Sequence, residues 1–318
     1  MVINALLFFL GFALLIKGGD WFVDAASAIA HRFNMPELLI GATVVSIGTT
    51  LPEVMVSAQG ALAGSGAIAF GNAVGSVICN TALIAAITLV VRPAGVDRKT
   101  LILPSAAFFI AAAFYSFNAY AFGRFSRATG VVLLAMFAVY MVVTVLQMKA
   151  SPVPAQEDEQ AQEAGTTFLH DAVMLVVGAV VIAVGARLLV DNAQVIAAAL
   201  GVPESVIALT LVALGTSLPE LVTAITSLIK GLGALSLGNI IGANLFNLVL
   251  VSGTATAISP FDLSAASATS LSVDIPLMLG VMLVMTLPPL ITGKLRRWQG
   301  AVLLCAYAGY CAFQFFAA

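Results

Sequence analysis

Charged side chains are scarce in this sequence, and their scarcity decides the class of protein. Of the 318 residues only 9% are charged, whereas 61% are hydrophobic. Soluble domains carry about 25% charged residues, so the composition excludes an ordinary soluble fold. The net charge of −2 and the lack of a basic cluster also give no reason to expect a nucleic-acid partner. The sequence therefore predicts a polytopic membrane protein.

Cysteine and histidine are also rare, with three and two residues. Cys79, Cys305 and Cys311 lie in apolar segments without the spacing of metal ligands, so we interpret them as small hydrophobic residues. His31 and His170 lie in or beside predicted loops. Because no nucleophile–base pair and no metal triad is recognisable, we expect neither enzymatic activity nor a cofactor.

Long apolar runs, in contrast, occur throughout the chain. About 20 apolar residues span a bilayer, and the polar breaks allow ten such segments. The first lacks a basic n-region and a cleavage pattern, so it is predicted to be a retained helix. The fold class is therefore an all-α membrane protein with ten transmembrane helices. The predicted spans are residues 3–27, 37–62, 67–91, 101–118, 128–148, 170–191, 204–229, 234–258, 270–290 and 298–316.

One motif occurs twice, 167 residues apart. Residues 43–53 read TVVSIGTTLPE and residues 210–220 read TLVALGTSLPE, with seven of the eleven positions identical. Each copy lies in a set of five predicted spans, and an odd number of spans forces the two sets into opposite orientations. Such inverted repeats are typical of secondary transporters. Further matches at this offset are Asp24 with Asp191, Gly71 with Gly238, Asn72 with Asn239, and Asn80 with Asn247.

The repeat divides the chain into three parts. Residues 1–148 form the first repeat, with motifs at 43–53 and 71–80, and residues 170–318 form the second, with motifs at 210–220 and 238–247. Residues 149–169 are predicted to be a polar, solvated linker, because they are too few to hold a folded domain.

Basic residues predict the orientation of the chain. With the N-terminus outside, nine basic residues fall in cytoplasmic loops and only Arg124 and Arg127 fall in outer loops. The positive-inside rule then places both termini on the non-cytoplasmic side and the linker in the cytoplasm. The nine are Arg32, Arg92, Arg98, Lys99, Lys149, Lys230, Lys294, Arg296 and Arg297.

Each motif places a glutamate, Glu53 or Glu220, directly after a proline inside an apolar span. A carboxylate near the bilayer centre costs about 2.5–3.5 kcal/mol on insertion scales, so a role on a cation is expected. The prolines lack an N–H and leave carbonyls near Gly48 and Gly215 without helical partners. In hydrocarbon, such carbonyls persist only where they line a cavity or coordinate a ligand.

Hydroxyl groups complete an all-oxygen set of possible ligands. Thr49 and Thr50 precede the first glutamate, and Thr216 and Ser217 precede the second. With no histidine or cysteine in either motif, hard cations such as Ca²⁺ and Na⁺ fit this set best.

Asparagines in the following spans are further candidates. Asn80 and Asn247 are two of them, and Ser76 shares a helix face with Asn80 because the two lie four residues apart. For Asn72 and Asn239, interhelical hydrogen bonds and a ligand role remain equal alternatives.

The paired strings GTTLPE with GNAVGSVICN, and GTSLPE with GNIIGANLFN, resemble the two α-repeats of the sodium/calcium exchanger family, within the wider cation/Ca²⁺ antiporters. The resemblance covers the whole chain and is to the prokaryotic ten-helix type. It implies that Glu53 and Glu220 share the bound cation at the membrane centre. It also implies that the carbonyls of Thr49 and Thr216 complete the Ca²⁺ site.

The resemblance further implies Na⁺ sites on either side of the central position, which Asn80 and Asn247 line. The Na⁺ ligands would be side chains of Thr50, Ser217 and Ser76 and carbonyls of Ser46 and Ala213. One departure is Ala243, the repeat equivalent of Ser76, where an expected hydroxyl is missing.

The function predicted from these features is secondary active exchange of Ca²⁺ for Na⁺ by alternating access. An H⁺/Ca²⁺ or K⁺-dependent antiporter with the same site is the alternative, and a cation channel is less favoured. The expected partners are Ca²⁺, Na⁺ and the lipid bilayer, with no nucleic acid and no obligatory protein partner. The expected location is a prokaryotic plasma (inner) membrane.

Four further acidic residues have simpler predicted roles. Glu37 and Glu204 follow prolines at the starts of spans, where a carboxylate favours the helix dipole. Asp24 and Asp191 lie near span ends and are expected to pair with basic neighbours, with a role in gating as the alternative.

Overall fold

A computed structural model describes residues 2–64, 66–93, 95–150, 167–200, 213–263 and 270–317, and these residues are almost entirely helical. Five π-helical turns interrupt the helices, at Gly41–Val45, Asn80–Ala85, Asn118–Phe122, Asn247–Val251 and Ser270–Asp274. Strands β1 (Arg124–Phe125) and β2 (Phe261–Asp262) form a short antiparallel ribbon. The helices are α1 Val2–Arg32, α2 Glu37–Ile40, α3 Ser46–Leu62, α4 Gly66–Cys79, α5 Ala86–Val91, α6 Arg98–Phe117, α7 Arg127–Ala150, α8 Phe168–Ala199, α9 Ala213–Thr216, α10 Leu218–Ile229, α11 Gly233–Phe246, α12 Ser252–Ile258, α13 Ile275–Thr292 and α14 Arg297–Ala317.

These helices confirm the predicted all-α membrane architecture. Within the described ranges, eight helices are long and apolar enough to cross a bilayer. They correspond to predicted spans one to six, eight and nine, and α14 occupies the tenth. The seventh is represented by α9 and α10, while its residues 204–212 lie outside the described part of the chain. Residues 151–166 of the predicted linker also lie outside it.

Helices α1 and α8, the first helices of the two repeats, run antiparallel to each other. Near one end of the pair, Asn4 Nδ2 donates to Asn192 Oδ1 at 3.1 Å. At the other end, Arg32 Nη2 lies 2.8 Å from Asp171 Oδ2. Because equivalent helices of the two repeats point in opposite directions, the structure confirms the inverted arrangement.

Glycines allow α1 and α8 to approach backbone to backbone. A Cβ added to Gly178 would lie 2.7 Å from the backbone nitrogen of Phe22, and one added to Gly185 would lie 2.9 Å from the carbonyl oxygen of Gly11. Small residues at helix contacts are the usual means of close packing in membranes. The two helices therefore form a tightly packed pair along much of their length.

Contacts between loops define two ends of the bundle. We call one end the Arg32 face: it holds Arg32, Asp171 and Lys230, with Arg92 Nη1 donating to the Leu228 carbonyl oxygen at 3.3 Å and a bridge joining Gly95 to Lys294. We call the other end the Arg124 face: it holds the β1–β2 ribbon and a small cluster of Ala61, Ala69, Ala255 and Ile258.

The most buried part of the molecule is the span formed by α11, its π-helical turn and α12. Every residue from Leu235 to Val249 in this span is buried. It contacts α2 and α3 of the first repeat as well as α10 of its own repeat. This span therefore contacts the motif regions of both repeats.

The glycine contact between α1 and α8 is directly testable. Gly178→Ala should destabilise the protein by about 1–3 kcal/mol, because the new methyl group meets the Phe22 backbone, which cannot rotate away. The measurement is thermal unfolding in detergent, followed by size-exclusion chromatography. Gly309→Ala in α14 is the matched control, since no described atom lies within 4 Å of its added Cβ. Equal melting temperatures for the two variants would contradict the packing.

Candidate cation site

Glu53 and Glu220 lie together in the interior. Glu53 is on α3 and Glu220 on α10, and both are 0% exposed. The two carboxyl groups interact electrostatically with each other. None of their four carboxyl oxygens has a hydrogen-bond partner among the described residues. The structure therefore brings the two predicted carboxylates into one buried site and leaves both without a protein partner.

The backbone around the two glutamates differs between the repeats. In the second repeat the helix breaks at Ser217, so Pro219 and Glu220 fall in the first turn of α10, where the helix dipole favours a negative charge. In the first repeat α3 continues through Pro52 without a break. The helix is therefore broken at the motif of the second repeat and continuous in the first, where Pro52 still has no N–H to donate to the Gly48 carbonyl. There the irregular segment is the π-helical turn Gly41–Val45, which lies before α3.

The described hydroxyl residues of the two motifs are buried or half-buried. Thr50 and Ser217 are 0% and 1% exposed, and neither hydroxyl has a hydrogen-bond partner in the described structure. The side chains of Thr49 and Thr50 lie close enough to interact with Glu220. Thr216 ends α9, directly before the break, and is half-buried. Hydroxyls of the first repeat thus lie beside the acid of the second repeat.

Asn80 and Asn247 occupy equivalent positions in the two repeats. Both are fully buried, and no side-chain nitrogen or oxygen of either residue has a partner among the described residues. Each begins a π-helical turn, a feature frequent at functional sites. Buried amides without partners are rare in native structures, so these two are strong candidates for contact with a ligand.

The other predicted ligands lie beside this core. Ser46 and Ser76 are 0% and 5% exposed, and Ala213 begins α9. The Ser46 hydroxyl donates to the carbonyl oxygens of Gly41 at 2.7 Å and Asn239 at 2.9 Å, which agrees with a ligand role for its carbonyl only. Ala243 is fully buried and carries no hydroxyl at the position equivalent to Ser76.

Asn239 forms interhelical hydrogen bonds, one of the two roles that the sequence left open for it. Its Oδ1 accepts from Thr49 Oγ1 at 3.2 Å, and its Nδ2 donates to Thr223 Oγ1 at 2.8 Å. It thereby joins α11 and α10 of the second repeat to α3 of the first. Asn72, its equivalent, donates to Ser57 Oγ at 2.9 Å within the first repeat. Thr223 was not predicted, although its spacing of three residues from Glu220 places it on the same helix face.

The site is closely packed toward the Arg32 face. There, Cβ atoms on Gly238 and Gly242 would collide with Leu38, Ala42 and Ser46. The repeat-equivalent glycines are Gly71 and Gly75, and the segment equivalent to residues 38–45 lies outside the described residues. The described contacts therefore show the site closed toward the Arg32 face.

The predictions for the four other acidic residues can be compared with the structure. Asp24 pairs with Lys230 at 2.6 Å and Asp191 with Arg187 at 3.6 Å, as predicted. Glu37 lies in the first turn of α2. Glu204 lies outside the described residues. Among the described ion pairs none involves Glu53 or Glu220.

Several known proteins are similar to this chain over nearly its whole length. The family model described as "Sodium/calcium exchanger protein" matches residues 3–146 and 170–316. The putative antiporter CaxA of Alkalimonas amylolytica is 36% identical over 98% of each chain. The sodium/calcium exchanger MaX1 of Methanosarcina acetivorans is 29% identical over 99% of each chain. A solved structure of the sodium-calcium exchanger NCX_Mj has a TM-score of 0.82 and 33% identity, covering 98% of this chain and 99% of its own.

The bridging role of Asn239 can be tested by comparing the two repeats. Asn239→Ala should destabilise the protein by about 1–3 kcal/mol, because it leaves the buried Thr49 and Thr223 hydroxyls with fewer partners. Asn72→Ala, the matched control at a half-buried position, should cost less. Unfolding in detergent monitored by tryptophan fluorescence measures both. A larger loss in Asn72→Ala would show that the bridge does not hold the repeats together.

Proposed function

Because the chain belongs to the sodium/calcium exchanger family, we propose that it exchanges Ca²⁺ for Na⁺ across a membrane at a site shared by Glu53 and Glu220. The family is one of transporters, so the protein is a cation antiporter and its reaction is translocation. The single observation that carries the proposed site is the pair of fully buried carboxyl groups, which have no hydrogen-bond partner among the residues that the structure describes.

Charge balance explains why the site takes cations. Two ionised carboxylates carry two negative charges, and one Ca²⁺ neutralises both. The surrounding donors are the oxygens of Thr50, Ser217, Asn80 and Asn247, which suit a hard cation with six to eight oxygen ligands. Na⁺ ions bound around the same acids neutralise them as well, with ligands from Ser76 and from the carbonyls of Ser46, Thr49, Ala213 and Thr216.

Exchange follows from sharing these ligands. An empty site retains its uncompensated charge, and moving that charge through a low-dielectric barrier is costly. The protein therefore changes its open face only when the site is loaded. Ca²⁺ and Na⁺ use the same carboxylates and cannot load together, so transport of one ion requires return of the other.

Alternating access is supported by the inverted repeat. Two inverted repeats can adopt each other's conformation, which opens the site to opposite faces in turn. The tight packing of Gly238 against the Leu38 backbone, which closes the site toward the Arg32 face, corresponds to one of these two states. The concentration of basic residues on the Arg32 face supports an orientation with that face in the cytoplasm of a prokaryotic cell.

Proton-coupled exchange at the same site is the second candidate. Ala243 supports it, because the second repeat lacks the hydroxyl that Ser76 provides in the first. A site with fewer hydroxyl ligands holds Na⁺ less well, whereas a proton needs only the carboxylates. The two candidates share every other residue and differ in the ion that discharges the acids.

The carboxylate assignment predicts the effect of neutral variants. Glu53→Gln and Glu220→Gln should each lower ⁴⁵Ca²⁺ flux in proteoliposomes by more than about 10- to 100-fold, a loss that even outer-shell changes cause at metal sites. Glu37→Gln, a glutamate on the Arg32 face, is the control and should retain flux. Robust uptake by both site variants, with normal folding, would refute the assignment.

Ion gradients decide between the coupling ions. Vesicles loaded with Na⁺, K⁺ or acid should take up ⁴⁵Ca²⁺ only when Na⁺ is inside, and uptake driven by acid alone would support proton coupling instead. In the Na⁺-driven reaction, Ala243→Ser should raise the apparent Na⁺ affinity, and Ser76→Ala should lower it. Unchanged Na⁺ dependence in both variants would show that neither position binds Na⁺.

A further inference from the structure

A single lysine at the Arg32 face contacts two carboxylates of the first helix. Lys230 follows the end of α10, and its Nζ lies 2.6 Å from Asp24 Oδ1 and 3.5 Å from Asp20 Oδ1. It also donates to the backbone carbonyl oxygen of Asp20 at 3.4 Å. Asp20 and Asp24 are four residues apart and share one face of α1. The ammonium group thus joins α1 to the helix that carries Glu220.

The two helices are also packed together beneath this contact. A Cβ added to Gly19 of α1 would lie 2.6 Å from Val222 Cγ1 and 3.0 Å from Thr226 Oγ1, both on α10. Thr226 is only 9% exposed and lies one turn before Lys230. A cavity of about 360 Å³ opens nearby, between Glu37, Arg92 and Gly231, but none of the candidate cation ligands lines it. The contact between α1 and α10 therefore closes part of the Arg32 face.

The inverted repeat provides the comparison for this contact, because the equivalent positions at the other face carry different charges. Asp24 corresponds to Asp191, but Asp20 corresponds to Arg187 and Lys230 corresponds to Ala63. Arg187 Nε lies 3.6 Å from Asp191 Oδ2, one turn along the same helix. The second acid is thus neutralised by its own helix, and position 63 offers no cation to reach it. Among the described residues, the bridge from Lys230 to α1 therefore has no counterpart at the repeat-equivalent positions.

We propose that Lys230 is a latch that holds the Arg32 face closed and so sets the balance between the two access states. The inference rests on the proposed function, in which the site opens to each face in turn. Lys230 is a positioning residue, because it acts through α1 and α10 and does not touch the cation. The latch favours the state in which the site opens away from the Arg32 face.

The expected shift in the balance between the two access states follows from the solvent exposure of the three charged side chains. The Lys230 side chain is 27% exposed, and Asp20 and Asp24 are 37% and 65% exposed. Ion pairs of this kind shift an equilibrium roughly two- to fivefold. A shift of this size changes the populations of two nearly equal states measurably while leaving the fold intact.

Thiol labelling measures the closure directly. Thr226→Cys places a thiol on the surface of α10 that Gly19 covers. A membrane-impermeant maleimide is applied from the Arg32 face in ion-free buffer, and the rate at which it labels this thiol is measured. Lys230→Met, which keeps the side-chain length and removes the charge, should speed labelling roughly two- to fivefold. Lys230→Arg should label at the original rate. Protein with Thr226 intact gives the background from the three native cysteines.

Two controls make the outcome decisive. Arg187→Met breaks the pair within α8 and should leave the labelling rate unchanged, since that pair joins no two helices. Asp24→Asn removes the nearer acid and should reproduce the effect of Lys230→Met, so it replaces that variant if the latter fails to fold. Unchanged labelling in Lys230→Met or Asp24→Asn, or equal acceleration by Arg187→Met, would overturn the latch.

Transport from each side separates the latch from the proposed function. In sided vesicles, Lys230→Met should lower the half-saturating Ca²⁺ concentration at the Arg32 face and raise it at the other, because each apparent affinity scales with the fraction of open sites. Equal shifts at both faces would contradict the latch. If Glu53→Gln and Glu220→Gln keep their flux, the proposed function fails, while the labelling result still decides the role of Lys230.

Discussion

The structure depends on one electrostatic constraint: two carboxyl groups are buried in the interior of a membrane protein without a hydrogen-bond partner in the described part of the chain. Glu53 and Glu220 are both 0% exposed and have no described hydrogen bond. Burial of an ionised group without compensation is costly, and the described ion pairs place no arginine or lysine on either acid. A cation is the proposed compensation, and the buried side chains of Thr50, Ser217, Asn80 and Asn247, which have no hydrogen-bond partner among the described residues, are its candidate ligands.

The inverted repeat explains how such a site can serve two faces, and the departures from symmetry are as informative as the symmetry itself. Asn80 and Asn247 begin equivalent π-helical turns and have the same buried, partnerless character. In contrast, Asn239 joins the repeats while Asn72 bonds within its own. Gly238 is packed against the backbone of Leu38 and Ala42. These contacts join the two repeats and close the site toward the Arg32 face.

Much of this architecture could be predicted from the sequence because membranes impose simple rules. Spans follow from apolar length, inversion follows from an odd number of spans per repeat, and the site follows from acids that hydrocarbon does not tolerate. The fate of Pro52 could not be predicted, because a helix can continue through proline when neighbouring groups accommodate it. The hydrogen-bond and ion-pair partners of Asn239 and Lys230 could not be predicted from the sequence either. They depend on which helices lie side by side, and span order alone does not give that.

The position of the bound cation tests the central claim most directly. Crystals of the protein soaked in Sr²⁺, a heavier analogue of Ca²⁺, give an anomalous signal that locates the ion without assumptions about its ligands. The account predicts a peak between the carboxyl groups of Glu53 and Glu220, at about the 2.3–2.6 Å expected for Ca²⁺–oxygen contacts or slightly longer. A peak bound elsewhere, with the two carboxyl groups separated and contacting only protein, would contradict it.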